Sequence, residues 1–275
     1  MKVIVGKFGG FCSGVFHTVN MANKLIEENN SLYSLGELVH NEIVINNLEN
    51  KGLITVNNIE DIPNNSKVIF RAHGEPISSY NKALEKNLEV IDLTCPKVRI
   101  IHDKIKINND KYIIVIGKKN HPETIGHIGY ANDGIVIESI DDIKNINTSK
   151  DIFIVVQTTF NEELFNNIVS LIKEEYSNVI VNNTICDITH KRQLEVVDIA
   201  KDVNRMIIVG GKNSSNTREL ANIAKEYIDD VLLVQNIDDL KDVDFSNIEK
   251  VGIMGGASTP KEIIDEIYLL LVNKW

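Results

Sequence analysis

The sequence predicts an α/β protein of parallel sheets, organised as three similar units. Three observations lead there. Short apolar runs alternate with helical patterns along almost all of the 275 residues. Cys12, Cys95 and Cys186 are nearly evenly spaced, and each ends or follows an apolar run and precedes a helical pattern. The unusual polar residues stand where apolar runs end. Such alternation implies parallel strands with helices on the sheet faces. Ligands of open sheets of this kind bind at the carboxyl ends of the strands.

In chain order, Val3–Val5 reads as a strand and Val15–Glu28 as a helix ending at Asn29-Asn30. Ser31–Leu35 is a strand that leads to Gly36-Glu37-Leu38-Val39-His40-Asn41, and 42–50 is a helix stopped by Gly52. Lys67–Arg71 is a strand leading to Ala72-His73-Gly74-Glu75. A helix over 77–86 and a strand over 90–93 then lead to Cys95. The second unit repeats the scheme. A helix over 98–108 precedes a buried strand over 112–116, which leads to His121-Pro122-Glu123. A short helix to Tyr130 and a strand over 135–138 follow. A strand over 152–156 leads to Gln157-Thr158-Thr159, Asn161 caps a helix to Tyr176, and a strand over 179–181 leads to Cys186. In the third unit a helix runs from Thr189 to Asn204. A strand over 206–209 leads to Gly210-Gly211-Lys212-Asn213-Ser214-Ser215-Asn216. A helix over 217–227, a strand over 231–234, a strand over 251–254 leading to Gly255-Gly256-Ala257-Ser258, and a helix from Thr259 to the C-terminus complete it. Domain boundaries fall near the second and third cysteines: 13–95, 96–185 and 186–275, with residues 1–12 joining the third sheet.

Hydrophobic residues make up 43% and charged residues 25%, which suits a globular chain. The net charge of −10 argues against broad nucleic-acid binding, which needs a basic face. A local anion site needs only a few groups and is compatible with it. The N-terminal apolar run is too short for a signal peptide, and no segment approaches the roughly 18 apolar residues of a membrane span. The expectation is a cytoplasmic protein with reduced thiols and no membrane partner. Three cysteines without a Cys-x-x-Cys pair favour neither a disulfide framework nor a zinc knuckle.

All three cysteines sit in polar or glycine-bearing loops, not in apolar faces. Three thiolates hold a metal with one position open. With a fourth His ligand they make a closed zinc site; on an iron–sulfur cluster they leave one iron without a protein ligand. His40, His73 and His121 occupy equivalent strand-end loops, whereas His17, His102, His127 and His190 fall in helical patterns and are read as structural. Ser214, Ser215, Asn216 and Ser258 precede helices, where capping and anion cradling are compatible. Neither loop is a Walker A motif, and Gly6, Gly9, Gly10 and Gly14 do not form a dinucleotide fingerprint. Glu123, beside His121, is the best acid/base candidate, and Thr158 stands at the next strand end.

Together these pieces resemble the 4-hydroxy-3-methylbut-2-enyl diphosphate reductase family of the methylerythritol phosphate route to isoprenoids. They are Gly10-Phe11-Cys12-Ser13-Gly14-Val15, His40-Asn41, Ala72-His73-Gly74, Thr94-Cys95-Pro96, His121-Pro122-Glu123, Gln157-Thr158-Thr159, Thr184-Ile185-Cys186, Arg192-Gln193, Lys212-Asn213-Ser214-Ser215-Asn216 and Gly256-Ala257-Ser258, in family order. The resemblance implies a pseudo-threefold trefoil of three small parallel-sheet domains around a 4Fe-4S cluster held by Cys12, Cys95 and Cys186, with one open iron site. It implies diphosphate binding by His40, His73, Ser214, Ser215, Asn216 and Ser258, with His121 lining the site. Thr158 and Glu123 would face the substrate hydroxyl, Glu123 as proton donor, and ferredoxin or flavodoxin would supply electrons. The chain departs from the family at Phe16-His17, where a basic residue is usual, and at Glu75, where an apolar one is. The rival readings are another three-cysteine iron–sulfur trefoil enzyme, such as a quinolinate synthase-like one, and a non-enzymatic metal-binding or redox-sensing module.

Overall fold

The computed structural model describes residues 1–29 and 31–274. Asn30 and Trp275, where the sequence ends its first and last helices, lie outside the described residues. In order, the elements are β1 (Lys2–Val5), α1 (Ser13–Glu28), β2 (Leu32–Leu35), α2 (Glu42–Asn50), β3 (Leu53–Val56), β4 (Lys67–Phe70), α3 (Ile77–Glu85), β5 (Glu89–Asp92) and α4 (Pro96–Ile107). Then come β6 (Tyr112–Ile116), α5 (Pro122–Ile128), β7 (Gly134–Ile137), β8 (Ile152–Val156), α6 (Glu162–Glu175), β9 (Val179–Val181) and α7 (Asp187–Ala200). Last are β10 (Arg205–Val209), α8 (Ser215–Lys225), β11 (Val231–Val234), β12 (Lys250–Gly255) and α9 (Lys261–Lys274).

The strands form three 4-stranded sheets, ordered β3-β2-β4-β5, β7-β6-β8-β9 and β11-β10-β12-β1. Every pairing is parallel. The fold class read from the alternation is therefore the one observed. Each sheet follows one recipe: strand, helix, strand, 3-10 turn, strand, helix, strand, cysteine, helix. The 3-10 turns are Ile59–Asp61, Ile140–Asn145 and Ile237–Leu240. The third sheet is a permuted copy, because its fourth strand is the chain's first. Lys2 to Val5 lie beside Lys250 to Ile253 in register.

Burial on both faces explains the unbroken apolar runs. In β6, Tyr112, Ile114 and Ile116 enter one core while Ile113 and Val115 enter another on the opposite face. In the third sheet, Ile207, Val209, Val251 and Ile253 pack on one face and Met206, Ile208 and Met254 on the other. Each such side chain contributes about 1.5–3 kcal/mol of transfer free energy, which offsets the entropy of ordering the chain. Strand β3 has no counterpart in the sequence reading. It is a four-residue edge strand directly after Gly52, paired only with β2 and with Ile54 exposed.

By backbone proximity the chain divides into two compact units. One comprises Met1–Asn20, Val39–Asn50 and Asp187–Trp275 and holds the β11-β10-β12-β1 sheet; the other comprises Met21–Leu38 and Lys51–Cys186 and holds the other two. Among the described residues, no helix is long and apolar enough to cross a membrane.

Candidate active site

Each cysteine follows the fourth strand of a sheet and stands at the start of a helix: Cys12 before α1, Cys95 before α4 and Cys186 before α7. The backbone holds all three in the same way. The N–H of Cys12 donates to Ala257 O (3.1 Å), that of Cys95 to Ala72 O (3.0 Å) and that of Cys186 to Thr158 O (3.0 Å). Those carbonyls belong to the loops after β12, β4 and β8, the third strand of each sheet. Among the described residues none of the three cysteines is in a disulfide, and all three are half-buried. The repeated recipe thus yields a partly accessible sulfur at the positive end of a helix three times over.

In the first compact unit, the loops after β10 and β12 meet the backbone of His40. Ser258 Oγ donates to His40 O at 3.1 Å. Thr259 Oγ1 donates to Val209 O at 2.7 Å and fixes the β12 loop against β10. Ser214 caps α8 by accepting the Thr217 N–H at 3.3 Å. Ser215 and Asn216 form its first turn and are buried. The Asn216 amide is 4% exposed, yet neither its nitrogen nor its oxygen has a hydrogen-bond partner among the described residues. A buried amide left this way costs about 1–3 kcal/mol, which points to an occupant that satisfies it.

In the second compact unit, the loops after β4, β6 and β8 carry the remaining polar residues. The rings of His73 and His121 meet edge to face, 5.4 Å between centroids. His121 caps α5: its Nδ1 accepts the Glu123 N–H at 3.2 Å. Neutral His121 therefore carries its proton on Nε2. The Glu123 carboxylate, 3% exposed, accepts the Thr158 N–H at 2.5 Å and the Thr158 hydroxyl at 2.8 Å. His127 Nε2 lies 3.3 Å from Glu123 Oε1, an ion-pair distance. Burial alone would raise this carboxyl. Contact with His127, the charges of His127 and His121 and the Thr158 N–H outweigh it and hold Glu123 below its ordinary value. Gln157 locks the arrangement, accepting from Lys118 N–H at 3.0 Å and from Thr124 Oγ1 at 3.4 Å while donating to Thr159 Oγ1 at 2.8 Å. Asn161 caps α6 as read from the sequence, accepting from Leu164 N–H at 2.8 Å, so Thr158 is left for Glu123.

The family model described as LytB protein matches residues 3–271. The chain belongs to the LytB protein family. A 4-hydroxy-3-methylbut-2-enyl diphosphate reductase of Clostridioides difficile (strain 630) is 38% identical over 279 residues, covering 99% of this chain and 100% of that protein. One of Aquifex aeolicus (strain VF5) is 38% identical over 274 residues, covering 97% and 94%. The solved E-1-hydroxy-2-methyl-but-2-enyl-4-diphosphate reductase of Plasmodium falciparum superposes with a TM-score of 0.95 at 28% identity, over 99% of this chain and 88% of that one. A second structure, of (E)-4-hydroxy-3-methyl-but-2-enyl diphosphate reductase, gives 0.71 at 36% identity over 99% and 100%.

In this LytB protein the departure at Glu75 is answered locally. Its carboxylate is buried and accepts from Arg71 Nε at 3.0 Å and from Ser79 Oγ at 3.4 Å. Burial raises its pKa and Arg71 offsets part of that. The extra negative charge therefore has its own cation.

Sequence reasoning missed His102 and His127, read there only as helical residues. His127 is one turn after Glu123 on α5, an i,i+4 pair that places both side chains on one face. That spacing was the available signal. His102 of α4 meets His127 edge to face at 5.1 Å and stacks on Tyr130 at 4.2 Å.

Two predictions arise from these contacts. Asn216→Leu keeps the branched shape at a somewhat larger volume and removes the unsatisfied amide. It is expected to raise the stability of the free protein by about 1 kcal/mol in a urea melt. The second concerns acid. Burial, with the charges of His127 and Lys106, pushes His102 down to about 3 from the ordinary 6.5. The unfolded chain therefore takes up this proton first as pH falls. Stability from neutral His102 is complete above pH 6.5 and drains between 6.5 and about 3. Glu123, also depressed, acts in the same direction at lower pH. His102→Phe preserves the stack on Tyr130 and should flatten the acid slope of a stability–pH series by up to about 1.4 kcal/mol per pH unit.

Proposed function

We propose that this protein removes the hydroxyl of (E)-4-hydroxy-3-methylbut-2-enyl diphosphate, consuming two electrons and two protons and releasing water. The products are isopentenyl and dimethylallyl diphosphates, and the step is the last of the methylerythritol phosphate route. The three sheets act as three domains, 13–95, 96–185 and 186–275 with 1–12. Cys12, Cys95 and Cys186 hold a 4Fe-4S cluster. The donor set fits that group: three half-buried cysteines outside any disulfide, each at a helix N-terminus and each fixed by the same backbone hydrogen bond. When bound, the cluster supplies a Lewis-acidic iron for the departing oxygen and a store for single electrons. The electrons come from ferredoxin or flavodoxin in the cytoplasm.

The chain's own residues bind the anion and handle protons. Ser214, Ser215 and Asn216 at the start of α8 present hydroxyls, an amide and helix N–H groups to the diphosphate. His40, His73 and Ser258 add donors, and His121, with its proton on Nε2, adds another. Such groups cradle an anion without a large basic face, which is compatible with a net charge of −10. Glu123 delivers protons at its carboxylate oxygens. In the free protein its contacts favour the charged form. A bound diphosphate brings like charge near it, which raises the carboxyl pKa and loads the proton when substrate is present. Thr158, bonded to both carboxylate oxygens, sets the direction of transfer.

The observation that carries this reading is the line from Glu123 through Thr158 to Cys186. The carboxylate holds the Thr158 N–H and hydroxyl, and the Thr158 carbonyl holds the Cys186 N–H. A proton source and a cluster ligand are one residue apart. Anaerobic purification with iron, sulfide and zinc analysis tests it. Brown protein with iron and acid-labile sulfide is expected, and colourless zinc-loaded protein overturns the reading in favour of a closed metal module.

A further inference from the structure

The proposed reaction consumes two protons, and the carboxyl of Glu123 stores only one. On its inner side Glu123 meets His127, whose side chain is fully buried. A buried histidine that serves packing alone has both ring nitrogens satisfied. Here Nε2 sits 3.3 Å from Glu123 Oε1, at ion-pair distance but outside hydrogen-bond geometry, and Nδ1 has no hydrogen-bond partner among the described residues either. Nor has the adjacent buried His102 Nε2. We infer that His127 stores the second proton of each turnover and passes it from Nε2 to Glu123 Oε1 once Glu123 has given up its own. This rests on the reading of Glu123 as the proton donor.

The balance is simple. Glu123 releases one proton to the substrate and becomes a carboxylate. The imidazolium of His127 transfers its Nε2 proton to that carboxylate, the electron pair of the N–H bond staying on nitrogen. Glu123 releases this proton as well; after the product leaves, Glu123 takes a proton at its carboxylate, hands it back to the buried Nε2 of His127 and then reloads itself. The electrons come from the external donor, so nothing else is required of the protein. The neighbours suit the role. His127 faces Glu123 of its own α5 and His102 of α4; the charge of His121 acts on Glu123, that of Lys106 acts on His102, and Tyr130 is stacked on His102. His102, held down to about 3 by burial, stays neutral over the working range and does not compete for the proton.

The test compares His127→Gln, His127→Ala and Glu123→Gln in the iron-loaded protein, with thermal melts to establish folding. His127→Gln is expected to lower kcat by about 10²-fold, the lower end for a positioned proton donor, with little change in KM and a larger solvent deuterium isotope effect. Added imidazole should restore turnover to His127→Ala and not to Glu123→Gln. A second readout needs no turnover. Ring 15N NMR of the substrate-free protein should show His127 protonated at neutral pH, and losing that proton at lower pH in Glu123→Gln, where its counter-charge is gone. A neutral His127 in the unaltered protein, or normal kcat and isotope effect in His127→Gln beside a slow Glu123→Gln, overturns the inference and leaves the reading of Glu123 intact. Normal turnover in Glu123→Gln overturns that reading itself.

Discussion

Glu123→Gln is expected to lower turnover by about 10²–10⁴, the usual loss when a positioned acid is removed. The substitution is conservative where structure is concerned. Glu123 accepts from the Thr158 N–H and from the Thr158 hydroxyl. A glutamine oxygen still accepts the N–H, and its amide donates to the hydroxyl, which turns to accept. His127 loses its counter-charge, but Gln157 still braces the loop through Lys118, Thr124 and Thr159. The variant should therefore melt near the unaltered protein, retain its iron and sulfide, and bind substrate. Steady-state kinetics with a saturating reductant and matched iron content decide it. Turnover within a factor of about two of the unaltered protein, below any positioned-acid effect, would return Glu123 to the role of a first-turn helix residue.

Cys95→Ser is expected to abolish most iron binding and with it activity. The side chain that changes is not the one that holds the fold. The Cys95 N–H still reaches Ala72 O, and its carbonyl still accepts the Arg99 N–H at 3.0 Å, so α4 begins where it did. What is lost is the soft thiolate that the proposed cluster requires, for which a hydroxyl is a poor substitute. Far-ultraviolet circular dichroism should be unchanged while iron and sulfide fall sharply. Because the backbone setting of Cys12 and Cys186 is the same, their serine variants should behave alike. A full complement of iron and sulfide in any one of the three would remove that cysteine from the ligand set.

The parts legible in sequence were those with local causes. Strands β6, β8, β9 and β11 are bounded as read; in β6 and β8 the reason is that runs such as Tyr112–Ile116 are buried throughout and break sharply at glycine or polar residues. The caps at Asn161 and Ser214 were legible from residue type and position. Less visible was whatever depends on distant pairing. The four-residue β3 is defined by its ladder to β2 and not by its composition. That Thr158 serves Glu123 and not a helix start depends on two strand ends of one sheet meeting across 35 positions. That Asn216 is a buried amide lacking a partner among the described residues was not legible. His127 was within reach, since it lies one helical turn from Glu123, yet it was read in isolation from that pair.

The most direct test of the central claim is a product assay. Anaerobically purified protein is supplied with reduced ferredoxin or a dithionite-reduced mediator and with (E)-4-hydroxy-3-methylbut-2-enyl diphosphate. The products are separated after phosphatase treatment. The account predicts isopentenol and dimethylallyl alcohol, formed only with reductant and in proportion to bound iron. Unconsumed substrate with a full complement of iron and sulfide and a competent donor would contradict it.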